Sequence, residues 1–305
     1  MTKHDLGASV RARLLNQAHA QKRPFQELLQ YYSMERFLYR LSRSRNAEQF
    51  VLKGALLLTA WRAPLSRSTM DIDLLGRMSN ELEHIHVLIA KVCELESEPD
   101  GIEFDAQSIK VARIKEDAEY EGVRVRFHAT LARARIPMQI DIGFGDVVTP
   151  AAIEIEYPTL LEFPAPVLRA YPKETVIAEK LEALTMLGML NSRMKDYFDL
   201  WALSRLYSFE GPILVSAIKA TFARRNMMIE SHPAGLRDEF AEEKSVQLDC
   251  LHSSFTAGYC THALCRNCPR CKEFRSPFAV SRHIGRSVQS NLACWRTVVS
   301  LTHRP

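Results

Sequence analysis

The chain has 305 residues, of which 47% are hydrophobic and 25% charged, and its formal net charge is +4. That apolar content supports one large or two modest cores. No apolar run approaches the roughly eighteen residues of a membrane span, and the N-terminus MTKHDLGASVRARLL carries no signal-type stretch, so a soluble, cytoplasmic protein without a membrane partner is expected.

Taken in order, Asp5–Lys22 and Pro24–Ser42 predict two helices. Apolar residues recur at helical spacing (Leu28, Leu29, Tyr32, then Phe37, Leu38, Leu41), and Pro24 suits a first helical position. The stretch FVLKGALLLTAWRAPLSRSTMDIDLL, Phe50 to Leu75, then carries the chemistry. It reads as a short strand at Phe50–Leu52, a turn at Gly54, a helix over Ala55–Trp61, a polar loop and a second strand bearing Asp71 and Asp73. Side chains two apart on a strand share a face, so the aspartates stand together while Ile72 and Leu74 point to the core. Two adjacent carboxylates repel. A divalent cation between them accounts for the pair, because Mg²⁺ takes carboxylate oxygens together with substrate phosphates. The helix after Gly54 offers free N–H groups and a positive dipole end to a phosphate.

Asn80–Leu95 predicts a helix, on which Cys93 reads as the buried thiol of a reducing compartment. Ile102–Phe104, Ile109–Lys115, Val123–Thr130 and Met138–Ile142 alternate as strands, with turns expected near Gly122 and at Arg135–Pro137. In IPMQIDIGFGD, Asp141 sits among apolar neighbours, which calls for hydrogen bonds or a cation. If this strand lies beside the Asp71/Asp73 strand, three carboxylates converge on a site able to hold two Mg²⁺ ions. Such a site would promote in-line displacement at the α-phosphate of a nucleotide. Asp146 is expected to face solvent. Pro150–Pro172 is proline-punctuated and extended, a passage between two lobes. Beyond it, Lys173–Leu190, Met194–Leu206 and Pro212–Arg225 predict helices. There Lys180 either pairs with Asp196 between helices or meets a phosphate, and Asp196 and Asp199 share one helical face.

Residues 245–305 differ in character, holding eight Lys/Arg against two Asp/Glu and six of the seven cysteines. Cys260, Cys265, Cys268 and Cys271, with His252 and His262, invite a zinc reading, but the two separated ligand pairs of structural zinc sites are lacking. Periodicity is lost after EFAEEK. The segment therefore reads as out-of-frame, poorly ordered sequence, with a zinc module or a genuine extension as the alternatives.

The ordered blocks carry a resemblance. Gly54-Ala55 precedes Arg67-Ser68-Thr69-Met70-Asp71-Ile72-Asp73, followed by Asp141 in QIDIGFGD. Then come Glu174-Thr175 with Ala178-Glu179-Lys180, and Arg193-Met194-Lys195-Asp196-Tyr197-Phe198-Asp199-Leu200. In this order they resemble the AbiEii/AbiGii toxin family of nucleotidyltransferases, over roughly residues 30–240. The resemblance implies an α+β (mixed) fold: a polymerase-β-like nucleotidyltransferase sheet with flanking helices, followed by a helical lobe. With it the chain divides into N-terminal helices at 1–45, a nucleotidyltransferase domain at 46–150, a linker and helical lobe at 151–244, and, on composition, the atypical tail at 245–305. It further implies an NTP bound on Mg²⁺ (or Mn²⁺), a separate antitoxin protein, a role in toxin–antitoxin or phage-abortive-infection systems, and an acceptor such as the tRNA 3′ end.

By position, Asp71, Asp73 and Asp141 would hold the metals, with Asp141 as the base. Gly54 and Ala55 would present the helix N-terminus to the triphosphate, and Arg67 and Thr69 would contact phosphate or order the loop. Lys180 would neutralise phosphate charge, oriented by Asp196. The family usually has Gly or Ser where this chain has Ala55, which keeps the N–H and lacks the hydroxyl. A catalytically impaired NTP- or RNA-binding protein of the same fold is the alternative.

Overall fold

The computed structural model describes residues 3–63, 68–115 and 121–244. Arg67 and the cysteine-rich segment 245–305, with the zinc and out-of-frame readings attached to it, lie outside the described residues. The described chain divides into two compact units, one holding the residues up to Asp146 with Ala152–Tyr171, the other Val147–Ala151 with the described residues from Pro172.

In the first unit, α1 (Lys3–Gln21) and α2 (Phe25–Arg43) precede β1 (Phe50–Lys53), α3 (Leu56–Ala60), β2 (Ile72–Gly76) and α4 (Leu82–Cys93). The strands β3 (Ile102–Lys115), β4 (Glu121–Leu131), β5 (Ala134–Phe144), β6 (Ile153–Glu156) and β7 (Val167–Ala170) complete it. All seven strands form one sheet in the order β3-β4-β5-β2-β1-β7-β6. The pairs β2–β5 and β1–β7 are parallel and the others antiparallel, so the sheet is mixed and the fold α+β, as expected.

The helix α2 packs on the apolar face of the sheet. Phe37 meets Phe104 at 5.7 Å and Phe127 at 5.5 Å between ring centroids. Each such ring removed from water is worth about 1.5–3 kcal/mol. The same helix also buries charge. Arg36, fully buried, donates to Asp100 Oδ2 and the Pro164 carbonyl at 2.9 and 2.8 Å, and Arg40 grips the same carboxylate at 2.9 and 3.1 Å. Cys93 is buried, as expected, and burial pushes its thiol up to about 12, so it is an inert packing residue.

Three expectations change. The stretch 102–115 is one strand with a bulge between Asp105 and Lys110 rather than two strands. Asp105 Oδ1 accepts from the Gln107 N–H at 3.1 Å and Ser108 Oγ donates to the Asp105 carbonyl at 2.7 Å, so local bonds carry the chain across the irregularity. Pro137 lies inside β5 and not in a turn, because pairing with β2 starts only at Ile140 and its missing N–H costs no ladder bond on that side. The reversal comes at Ala132, whose φ is +52°. Finally, the proline-punctuated segment is more than a passage: β7 lies beside β1, with Leu52 opposite Ala170.

The second unit is helical: α5 (Lys173–Leu187), α6 (Met194–Leu206), α7 (Gly211–Arg224) and α8 (Asp238–Glu243). Arg225 pairs with the buried Glu182 at 2.5 Å. Tyr197 stacks on Phe240 at 4.9 Å and donates its hydroxyl to the Gly235 carbonyl at 2.7 Å. Among the described residues no helix is long and apolar enough to cross a membrane.

Candidate active site

Strand register assembles the site. Lys53 on β1 lies opposite Asp73 on β2, Asp73 lies opposite Asp141 on β5, and Asp141 lies opposite Arg124 on β4. Directly opposed residues on neighbouring strands share a face. Four strands thus carry a row of cation, carboxylate, carboxylate, cation. Asp71 stands one residue before β2 rather than within it. One ligand oxygen each from Asp71, Asp73 and Asp141 lie within 4.8 Å of one another.

Each carboxylate is placed by a different device. Thr69 Oγ1 donates to Asp71 Oδ1, while the Thr69 N–H donates to the Tyr31 hydroxyl at 3.2 Å, so the buried Thr69 orders the approach to β2. Asp73 rests against Gly54. A Cβ there would fall 1.9 Å from Asp73 Oδ2 and 2.6 Å from its Cγ, and the φ of +75° also favours glycine. Asp141, 8% exposed, is held by Arg124 through two bonds of 2.7 Å, Nε to Oδ1 and Nη2 to Oδ2. Gln139 Nε2 adds a third bond to Oδ2 at 3.3 Å. The hydrogen bonds to Asp141, and then the negative charges of Asp141, Asp71 and Asp73, raise the Arg124 guanidinium above its ordinary pKa despite partial desolvation.

Lys53 pairs with Asp146 at 3.1 Å, the two side chains being 11% and 6% exposed. Asp146 therefore does not face solvent. The left-handed Gly145 before it, φ +80°, turns the chain so that Asp146 closes over β1. Neither Lys53 nor Arg124 was singled out by sequence reasoning. The alternation of VRVRF puts Arg124 on the polar face of its strand, but its partner depends on register across a hairpin.

The helix α3 has five residues, shorter than the sequence pattern predicts. The N–H groups of Leu57 and Leu58 already donate to the carbonyls of Gly54 and Ala55 at 3.2 and 3.1 Å, and Ala55 is buried. What Gly54 visibly provides is room for Asp73.

In the helical unit, Lys180 reaches both Asp196 at 2.6 Å and Asp199 at 2.8 Å, and Arg193 reaches Asp196 at 3.0 Å. The interhelix pair read from the sequence is formed, and Asp199 joins it as a third member.

Against this geometry, a family model described as nucleotidyl transferase AbiEii toxin, type IV toxin–antitoxin system, matches residues 36–253. MenT4, a nucleotidyltransferase toxin from Mycobacterium tuberculosis H37Rv, is similar in structure at 15% identity and a TM-score of 0.49, over 96% of this chain and 99% of that one. JHP933 from Helicobacter pylori is similar at 16% identity and a TM-score of 0.45, over 92% of this chain and 98% of that one. No curated protein matches the chain.

Proposed function

The chain belongs to the AbiEii family of nucleotidyltransferase toxins of type IV toxin–antitoxin systems, and from that premise we propose that it moves a nucleotide from an NTP to an acceptor hydroxyl at the Asp71–Asp73–Asp141 face of its sheet. The observation that carries this reading is the convergence of three carboxylates, from two blocks of sequence far apart in the chain, within 4.8 Å. An all-oxygen donor set of this kind fits Mg²⁺ or Mn²⁺, and the absent Cβ at Gly54 leaves the Asp73 carboxylate the space it needs. Charge agrees. Asp71, Asp73, Asp141 and Asp146 against Lys53 and Arg124 leave two negative charges, which one divalent cation cancels.

Asp71, Asp73 and Asp141 would hold the metal. When bound, such an ion supplies charge stabilisation to a displaced phosphate and a more acidic attacking hydroxyl. The chain's own residues do the rest. Thr69 and Gly54 fix the positions of Asp71 and Asp73. Asp141, the carboxylate expected to act as base, accepts the proton of the acceptor hydroxyl. Arg124 and Lys53 flank the row with positive charge where triphosphate oxygens would lie.

The family setting supports an antitoxin as partner, and we extend the reading to RNA, the tRNA 3′ end included, as acceptor and to phage abortive infection as the setting. Incubation of the chain with each of four α-labelled NTPs, Mg²⁺ and total tRNA tests this, with protein acceptors in parallel. Label should move to RNA with the wild-type chain and not with Asp73→Asn. Nucleotide binding without transfer to any acceptor would favour the impaired, binding-only alternative, for which Ala55 in place of the family's Gly or Ser is the specific observation.

A further inference from the structure

We propose that Arg124 reserves Asp141 for a metal ion arriving with a phosphorylated substrate, its guanidinium occupying both carboxylate oxygens until a phosphate takes it over. The inference rests on the metal reading of the triad given above. Both Asp141 oxygens lie 2.7 Å from Arg124 nitrogens, so a cation approaching Asp141 competes with a bidentate, charge-assisted pair, the strongest kind of side-chain hydrogen bonding.

Arg124 is also built to let go. Its side chain is 32% exposed, whereas the Asp141 side chain alone is 10% exposed, so the guanidinium has far more solvent around it than the carboxylate. Among the described residues its hydrogen bonds go to Asp141 alone. The buried Arg36, by contrast, is gripped by Asp100 and the Pro164 carbonyl and has nowhere to go. A guanidinium fork matches phosphate oxygens as well as it matches a carboxylate. A triphosphate beside the triad therefore offers Arg124 an equivalent partner and leaves Asp141 to the metal. The consequence is coupling: metal alone binds weakly, phosphate alone binds weakly, and each strengthens the other by the same factor.

Titration of the full-length chain with Mn²⁺, followed by electron paramagnetic resonance, tests this in wild type, Arg124→Gln, Arg124→Lys and Asp73→Asn. Without nucleotide, both Arg124 variants should bind Mn²⁺ about tenfold or more tightly than wild type, because neither can cover both oxygens. With Mn²⁺ saturating, an NTP analogue carrying a non-transferable α–β bridge should bind Arg124→Gln about tenfold or more weakly than wild type. Unchanged Mn²⁺ affinity in both variants overturns the proposal. So does a gain confined to Arg124→Gln, since that would reflect net charge and not the fork. If Asp73→Asn abolishes Mn²⁺ binding while residue 124 is indifferent, only this inference fails. If no chain binds Mn²⁺, or Asp73→Asn binds it like wild type, the metal reading itself fails and this inference with it.

Discussion

At the scale of single residues, Gly54 carries a constraint that its sequence context does not announce. Its sequence context, a strand followed by an apolar helix, pointed to a phosphate cradle. The structure gives it a positive φ and sets it flush against Asp73, with no room for a methyl group. Gly54→Ala should therefore force the Asp73 carboxylate out of the row. We expect stability to fall by about 1–3 kcal/mol, the scale for strained backbone and local displacement, and Mn²⁺ binding to fall with it. Urea unfolding and metal titration measure the two effects. Full metal affinity in this variant would mean that Asp73 has slack the packing does not show.

Glu35 is a second residue whose behaviour follows from place alone. It is 1% exposed, its Oε2 accepts the Leu160 N–H at 2.7 Å, and burial pushes its carboxyl from 4.5 up to about 7. The folded chain thus holds a proton there that the unfolded chain releases above 4.5. The stability contributed by the neutral form is complete below that value and is lost as pH rises through about 7. At 1.36 kcal/mol per unit the loss is on the order of 3 kcal/mol. Glu35→Gln keeps an acceptor for Leu160 and removes the titration. Its stability should fall less than that of wild type between pH 4.5 and 8 by about that amount, measured by denaturant midpoints; parallel pH profiles for the two chains would refute the assignment.

At the scale of elements, periodicity was a good guide to existence and a poor one to boundaries. The long helices α1, α2, α5, α6 and α7 fall within a few residues of the predicted stretches because each has a sustained apolar stripe. The bulge in β3 and the place of Pro137 inside β5 are not legible in the sequence, because bulges and unpaired strand ends are tertiary facts, visible only once neighbours are known. Charged groups buried on α2, notably Arg36 against Asp100, are equally hidden, since helical spacing of apolar residues says nothing about a carboxylate 64 residues away.

The Lys180 cluster belongs to the same scale. Lys180 neutralises Asp196 and Asp199, whose side chains are 7% and 3% exposed. Lys180→Ala would leave two buried carboxylates without their central cation and should destabilise the helical unit by about 3–5 kcal/mol. Lys180→Ala combined with Asp199→Asn should recover part of that loss. A melting temperature unmoved by Lys180→Ala would show that the network contributes little to the fold.

At the scale of the whole molecule, the three aspartates were legible because each sits in a short polar interruption of an apolar strand pattern. The cations that flank them were not. Lys53 and Arg124 acquire meaning only through the order β4-β5-β2-β1, which brings residues 53, 73, 124 and 141 into one row. The central claim, that this row performs nucleotidyl transfer, is tested most directly by following α-labelled and γ-labelled NTP in parallel through reaction with an acceptor. The account predicts that the α-label becomes covalently attached to the acceptor while the γ-label leaves as pyrophosphate, with both events lost on chelation of Mg²⁺ and in Asp73→Asn. Attachment of the γ-label, or α-label transfer that survives Asp73→Asn, would contradict it.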